Sequence, residues 1–219
     1  RRVVPALPLR DAQAKLIDLP PHEQGGLVVL ESETGSGKTE AALGHFLVLL
    51  RAGLVDGLYF ALPTRTAASQ LHDRLREILD RVFGSSAPPV VLAVPGYLKV
   101  DQVHGQRTGR FDVSWEQAPK LAPFEKLWAE EADRVRYRCW AAEHPKRFLA
   151  GAVVVGTIDQ ALLSVLATPH AHLRSTALLR HLLVIDEVHA SDAYMTRLTE
   201  ELLKRHMAAG GHALLMSAT

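Results

Sequence analysis

Leu27-Val28-Val29-Leu30-Glu31-Ser32-Glu33-Thr34-Gly35-Ser36-Gly37-Lys38-Thr39-Glu40-Ala41-Ala42-Leu43 passes from a short apolar run, through a glycine-rich loop, into a segment of helical period. A strand that feeds a loop of small residues and then a helix is the context in which a phosphate-binding loop works. The small side chains of Thr34, Gly35, Ser36 and Gly37 let consecutive backbone N–H groups turn inward on an anion. Lys38 can then reach the β and γ oxygens of a nucleoside triphosphate, and the Thr39 hydroxyl suits magnesium. Ser32 stands where the strict pattern has glycine. A plain glycine-rich turn carrying a solvated lysine is the competing reading, and it does not explain the flanking strand and helix.

On either side of this stretch, apolar runs rich in Val, Leu and Ala predict strands, which with its own are at 27–31, 58–62, 90–94, 153–156, 182–186 and 213–216. Between them, helical period covers 38–51, 67–82, 160–166 and 192–208. The clearest apolar faces are Leu71, Leu75, Ile78, Leu79 and Val82 in one helix and Tyr194, Met195, Leu198 and Leu202 in another. This alternation predicts an α/β fold with a mostly parallel central sheet flanked by helices. Pro95-Gly96-Tyr97 reads as a turn, and from about 96 to 151 the pattern is loose, although all three tryptophans fall there.

The strand at 182–186 delivers two adjacent carboxylates, Asp186 and Glu187, at its C-terminal end, where open α/β sheets bind ligands. Asp186 suits a magnesium ligand, and Glu187 suits the base that orients and deprotonates an attacking water. An ordinary acidic turn is the alternative for this segment alone, and it loses weight beside Lys38. Ser217-Ala218-Thr219 closes the next strand, a weak signal that gains from its order and placement.

Composition narrows the classes. With 47% hydrophobic residues in 219 the chain can fill a core, and a formal charge of +1 leaves nucleic-acid contact to a local basic surface. A single cysteine, Cys139, excludes an intrachain disulfide framework and a CxxC metal pair and points to the cytoplasm. No apolar run approaches the roughly 20 residues that cross a bilayer, so no membrane role is expected. The start at Arg1 and the stop straight after a strand suggest a piece of something longer.

In this order, GSGKT, DEVH and SAT resemble motifs I, II and III of a superfamily 2 helicase. The stretches GSGKTEAAL (35–43), ALPTRTAASQL (61–71), VVVGTIDQALL (153–163), WAAEHPKRFL (140–149) and VIDEVHASDAYM (184–195) are similar to the CRISPR-associated helicase-nucleases of type I interference systems. The resemblance implies a RecA-like P-loop domain spanning 1–219, the first of two motor domains, with 96–151 as a candidate insertion and with the second motor domain and an HD nuclease outside these residues. It implies ATP and Mg2+ as cofactors, with Thr34, Gly35, Ser36, Gly37, Lys38 and Thr39 around the phosphates, Gln13 on the adenine edge, and Thr39 and Asp186 on the metal. A solvated helix glutamine is an equal reading of Gln13.

By the same resemblance Pro63, Thr64 and Arg65 (motif Ia) and Thr157 with Gln160 touch the backbone of one DNA strand, while His189, Ser217 and Thr219 couple nucleotide state to that surface. Ordinary turn and cap chemistry competes for the five strand-end residues. The implied partners are single-stranded DNA, an RNA-guided surveillance complex and the second RecA-like domain of the same chain, without which turnover should be weak. Another superfamily 2 helicase acting on DNA or RNA, or a nucleotide-binding module without turnover, would share the same loop and acids.

Three further features carry less. His72-Asp73 supplies too few ligands for a metal-dependent nuclease. His170 and His172 flank Ala171 with no acid or cysteine nearby in sequence to complete a site. Arg134, Arg136, Arg138, Lys146 and Arg147, interleaved with Tyr137 and Trp140, could track single-stranded DNA, but Glu130 four residues before Arg134 favours a salt-bridged solvent face.

Overall fold

Strands that are apolar at every position must be covered on both faces, and residues 57–62, 90–93, 153–157 and 181–185 are buried throughout. In a computed structural model, residues 10–109, 112–116, 139–187 and 193–218 are described. The strands are β1 (Gly26–Glu31), β2 (Gly57–Leu62), β3 (Val90–Ala93), β4 (Lys99–Val100), β5 (Val103–Arg107), β6 (Val113–Trp115), β7 (Val153–Thr157), β8 (His181–Ile185) and β9 (His212–Ser217). The helices are α1 (Asp11–Asp18), α2 (Lys38–Arg51), α3 (Arg65–Phe83), α4 (Ile158–Leu162), α5 (Ala171–Leu179) and α6 (Ala193–Ala208).

They form one sheet in the order β1-β9-β8-β2-β7-β3-β4-β5-β6, parallel from β1 to β3 and antiparallel from there on. The six expected strands are the six parallel ones. Alternation splits their side chains between two cores. Leu58, Phe60 and Leu62 meet Leu43, Phe46, Leu71, Leu75 and Leu79 of α2 and α3 on one face. Tyr59 and Ala61 meet Phe148, Leu162, Leu178 and Leu202 on the other.

Three expectations change. The loose stretch after Gly96 carries β4, β5 and β6, which extend the same sheet at its β3 edge; β4 is two residues long and β5 (VHGQR) is polar, so neither has a readable period. The helix expected at 160–166 is α4, beginning at Ile158 and ending at Leu162. Tyr194 is 65% exposed: the buried stripe of α6 is Thr199, Leu202 and His206 with Met195 behind it, and one residue's step of about 100° carries Tyr194 off that stripe.

His72 is wholly buried, with Nε2 3.0 Å from the Val90 carbonyl and Nδ1 3.1 Å from Asp73, so it ties α3 to β3. Nearby Arg76 bonds Asp80 and reaches Asp101 at 2.7 Å, and Asp101 Oδ1 also accepts from Val90 N at 2.8 Å. The described residues contain no cluster of three or more metal-ligating side chains and no helix long and apolar enough to cross a membrane.

His45, His181 and His206 are buried, and desolvation is the main cause holding each below its ordinary value of 6.5. Unfolded, they bind protons that the folded state refuses, so stability rises with pH across that window. The melting temperature is therefore expected to fall as pH drops from 7 to about 5.5, where most free imidazoles are charged. A calorimetric series with no change over that range would contradict this reading.

Candidate functional site

Parallel strands place all their C-terminal ends at one edge. Glu31 of β1 is in register with Ser217 of β9, Ile185 of β8 with Leu215 of β9, Ala61 of β2 with Ile185, and Leu62 with Thr157 of β7. The edge thus reads, strand by strand, glycine-rich loop, Ser217, Asp186-Glu187, Pro63-Thr64-Arg65, Thr157. β1 and β8 are separated by β9 alone, so strand spacing sets the loop and the acids about 10 Å apart. That gap suits a metal-bound triphosphate.

The loop is shaped by its own sequence. Gly35 (φ 78°) and Gly37 (φ 89°) are left-handed, a conformation that costs side-chain-bearing residues energy. A Cβ on Gly37 would lie 2.2 Å from Gln13 Nε2, and one on Gly35 would meet nothing within 4 Å. Lys38 Nζ donates to the Ser32 carbonyl at 2.7 Å and the Glu33 carbonyl at 3.2 Å, holding the ammonium across the mouth of the loop. Ser36 Oγ and Glu40 Oε2 are buried without hydrogen-bond partners. Glycines in left-handed backbone, a lysine bonded only to carbonyls and an unpaired hydroxyl fit a polyphosphate with its cation. Beside the loop, a cleft of about 730 Å³ runs between α1 and β1, lined by Arg10, Lys15, Glu31, Ser32, Thr34 and Gly35 among others.

The acids sit on a strained turn. Glu187 has φ 58°, a conformation costing a non-glycine residue about 1–3 kcal/mol and found where function demands it. Its N–H donates to Asp186 Oδ1 at 3.0 Å, and Asp186 N donates to the Ala61 carbonyl at 3.0 Å. Ser32 N donates to the Ser217 carbonyl at 3.3 Å, so the glycine-rich loop and the strand between it and the acids are directly joined. Under the acids, a cavity of about 180 Å³ is lined by Asp186, Glu187, Pro63, Thr196, Thr199 and Leu203 among others.

No protein-family model matches the chain. Among curated proteins it is 36% identical over 194 residues to the CRISPR-associated endonuclease/helicase Cas3 of Escherichia coli K12, a match that covers 89% of this chain and 20% of that protein. The crystal structure of T. fusca Cas3 with AMPPNP superposes with a TM-score of 0.70 at 30% identity, covering 100% of this chain and 22% of the other. The chain is homologous to one segment of the Cas3 helicase-nucleases. It spans about a fifth of the length of the Cas3 relatives it matches. A chain in the structure of a CRISPR RNA-guided surveillance complex before nicking also matches, at 29% identity and a TM-score of 0.57 over 94% of this chain and 18% of that one.

Within this Cas3-like chain the glycine-rich loop (Thr34 to Thr39), Asp186, Glu187 and Ser217 come together at one edge. Gln13 comes with them but is buried: its Oε1 accepts from Arg10 N at 3.2 Å and its Nε2 donates to the Gly37 carbonyl at 3.3 Å, so its amide braces the loop. Pro63, Thr64 and Arg65 are exposed at the end of β2, with Thr64 Oγ1 capping α3 by accepting from Ala67 N at 3.2 Å. Thr157, the last residue of β7, and Gln160, within α4, are not brought to the surface: they are 4% and 6% exposed. His189 and Thr219 lie outside the described residues, as do Arg134, Arg136, Tyr137 and Arg138.

Sequence reading missed two residues. Arg10 hydrogen-bonds the Gly35 carbonyl through Nη1, and nothing in its sequence context marks it. Tyr59, wholly buried, donates its hydroxyl to the Thr157 carbonyl at 2.8 Å, and burial pushes its phenol well above its ordinary value, so it stays a donor. A tyrosine inside an otherwise aliphatic buried strand is itself a hint that its hydroxyl has a partner.

Proposed function

We propose that this domain binds and hydrolyses Mg-ATP and uses that hydrolysis, with a second RecA-like domain of the same protein, to move along single-stranded DNA in CRISPR interference. The observation that carries the reading is the single sheet edge on which Lys38, Asp186 and Glu187 meet, with Pro63, Thr64 and Arg65 on the next strand. Lys38 exchanges its two carbonyl partners for β and γ oxygens, and the loop amides orient the phosphates. The carboxylate of Glu187 takes the proton of the attacking water. Thr39 and Asp186 would hold magnesium, which neutralises charge building on the phosphates.

The Ser32–Ser217 bond and the β2–β8 register give the nucleotide half of the edge a route to the DNA half, on which Arg65 would contact phosphates without reading bases. His189 and Thr219 belong to the same coupling role by their place in the chain, and Gln13 to adenine recognition once its amide turns outward. The surveillance complex seen with a related chain is the proposed recruiting partner, and the cytoplasm the proposed compartment.

Magnesium-dependent ATP hydrolysis measured with and without oligo-dT and oligo-U tests this reading. Stimulation by DNA is the expected result. Stimulation by RNA alone would transfer the same chemistry to another kind of superfamily 2 helicase, and nucleotide binding with no turnover under any condition would leave a binding module.

A further inference from the structure

Four cationic side chains from three separate elements converge away from the sheet edge just described. Arg107 of β5 donates from Nη2 to the Glu143 carbonyl at 3.0 Å, which fastens the β5–β6 hairpin to the segment 139–150. Lys146 and Arg147 lie on that segment, and Arg174 comes from the first turn of α5. Charge compensation is thin: Glu143 pairs with Arg147 at 3.2 Å, and among the described residues neither Lys146, Arg107 nor Arg174 has a carboxylate partner. Arg174 is only 8% exposed, and its guanidinium is bonded to the Pro169 carbonyl at 3.3 Å.

A buried guanidinium without a counter-ion is costly unless an anion completes its site. The two imidazoles in this neighbourhood register the same field. His144 and His170 are both held below their ordinary value, by desolvation first and then by Lys146 and Arg174, with Arg107 and Arg147 also acting on His144 and His172 on His170.

Next to these cations is an aromatic surface. Trp140 is 47% exposed, and the Arg147 guanidinium stacks 4.9 Å from its ring centre. Excess positive charge beside an exposed indole is what a single strand needs, phosphates on one side and an unstacked base on the other. An acidic protein surface would use the charge and leave the indole unexplained. The whole chain carries only +1, so the patch is a local concentration.

We propose that the exposed Arg107 and Lys146, with Trp140 as a stacking platform and the buried Arg174 adding its charge from behind them, form a second contact for the backbone of single-stranded nucleic acid, separate from the Pro63–Arg65 turn. It rests on the nucleic-acid reading above and extends the path of the strand onto the face that carries α5.

The test is the affinity of the protein for a fluorescein-labelled oligo-dT, by anisotropy over a salt series, in wild type and in Lys146→Glu, Trp140→Ala and Arg65→Ala. Lys146→Glu is expected to weaken binding by about 10-fold and to flatten the slope of log affinity against log salt by about 0.7 for each phosphate that is no longer neutralised. Trp140→Ala should weaken it by about 10-fold and remove the indole quenching that the wild type shows on binding. Both substitutions are at exposed positions, and basal ATP hydrolysis without DNA should not change.

Unchanged affinity and slope in Lys146→Glu and Trp140→Ala, with a loss in Arg65→Ala, would overturn the second contact and keep the motor reading. A loss in the two patch variants with none in Arg65→Ala would keep the second contact and remove Arg65 from the path of the strand. If millimolar inorganic phosphate binds through Lys146 while oligo-dT affinity is indifferent to it, the patch is a free-anion site and the proposal fails.

Discussion

Lys38→Ala is expected to lower ATP turnover by more than about 100-fold, the scale of losing a fixed positive donor from a phosphoryl-transfer site. The structure makes the expected loss larger than a missing charge. In the resting loop the ammonium spans the carbonyls of Ser32 and Glu33, so alanine also removes the staple that keeps the mouth of the loop in shape. Nucleotide affinity should therefore fall together with turnover. Lys38→Arg keeps the charge, but a planar fork does not match two carbonyls set for a rotating ammonium, and it should rescue affinity better than turnover. Because Lys38 is only half-buried, the melting temperature of nucleotide-free protein should hardly move. Wild-type turnover in Lys38→Ala would remove the phosphate loop from the mechanism.

The loop and the acids were readable because their geometry is set within a few residues. Glycines at 35 and 37 fix the turn, and an apolar strand fixes where Asp186 and Glu187 emerge. The other site residues take their surroundings from partners distant in sequence. Thr157 and Gln160 match a strand-end motif, yet whether such residues face solvent is decided by tertiary packing, as by the Tyr59 hydroxyl 98 residues away, which donates to the Thr157 carbonyl. Gln13 looks like a solvated helix residue or an adenine reader until Gly37 is seen to present its carbonyl to it.

The antiparallel extension was illegible for another reason. β4 is held by the Asp101 turn, a left-handed aspartate (φ 55°) whose carboxylate joins Val90 N to Arg76, and that bond set spans three elements. The cationic patch was half legible. Lys146, Arg147 and Trp140 stand together in sequence, whereas Arg107 and Arg174 arrive from a hairpin and a helix; among the described residues a salt-bridged face accounts for the Arg147–Glu143 pair alone, and the Glu130–Arg134 pair lies outside them.

Glu187→Gln should separate binding from chemistry. Asp186 keeps the carboxylate proposed for the metal, the loop is untouched, and an amide fills the same volume, so Mg-ATP affinity should stay within a few-fold of wild type. Glutamine cannot accept the proton of the attacking water, and loss of a general base costs about 100- to 10,000-fold in turnover. The backbone argues for this substitution over smaller ones. Position 187 is held at φ 58°, where glutamine inherits the strain of glutamate, while Glu187→Gly would relax the turn and shift Asp186, which accepts from the N–H of residue 187. Asp186→Asn should show the opposite pattern, with magnesium dependence and affinity weakened first. A trapped, nucleotide-bound Glu187→Gln protein that still binds oligo-dT would assign the base to Glu187. Equal loss of affinity in Glu187→Gln and Asp186→Asn would mean that both acids serve the metal, and that the water is activated from elsewhere on the edge.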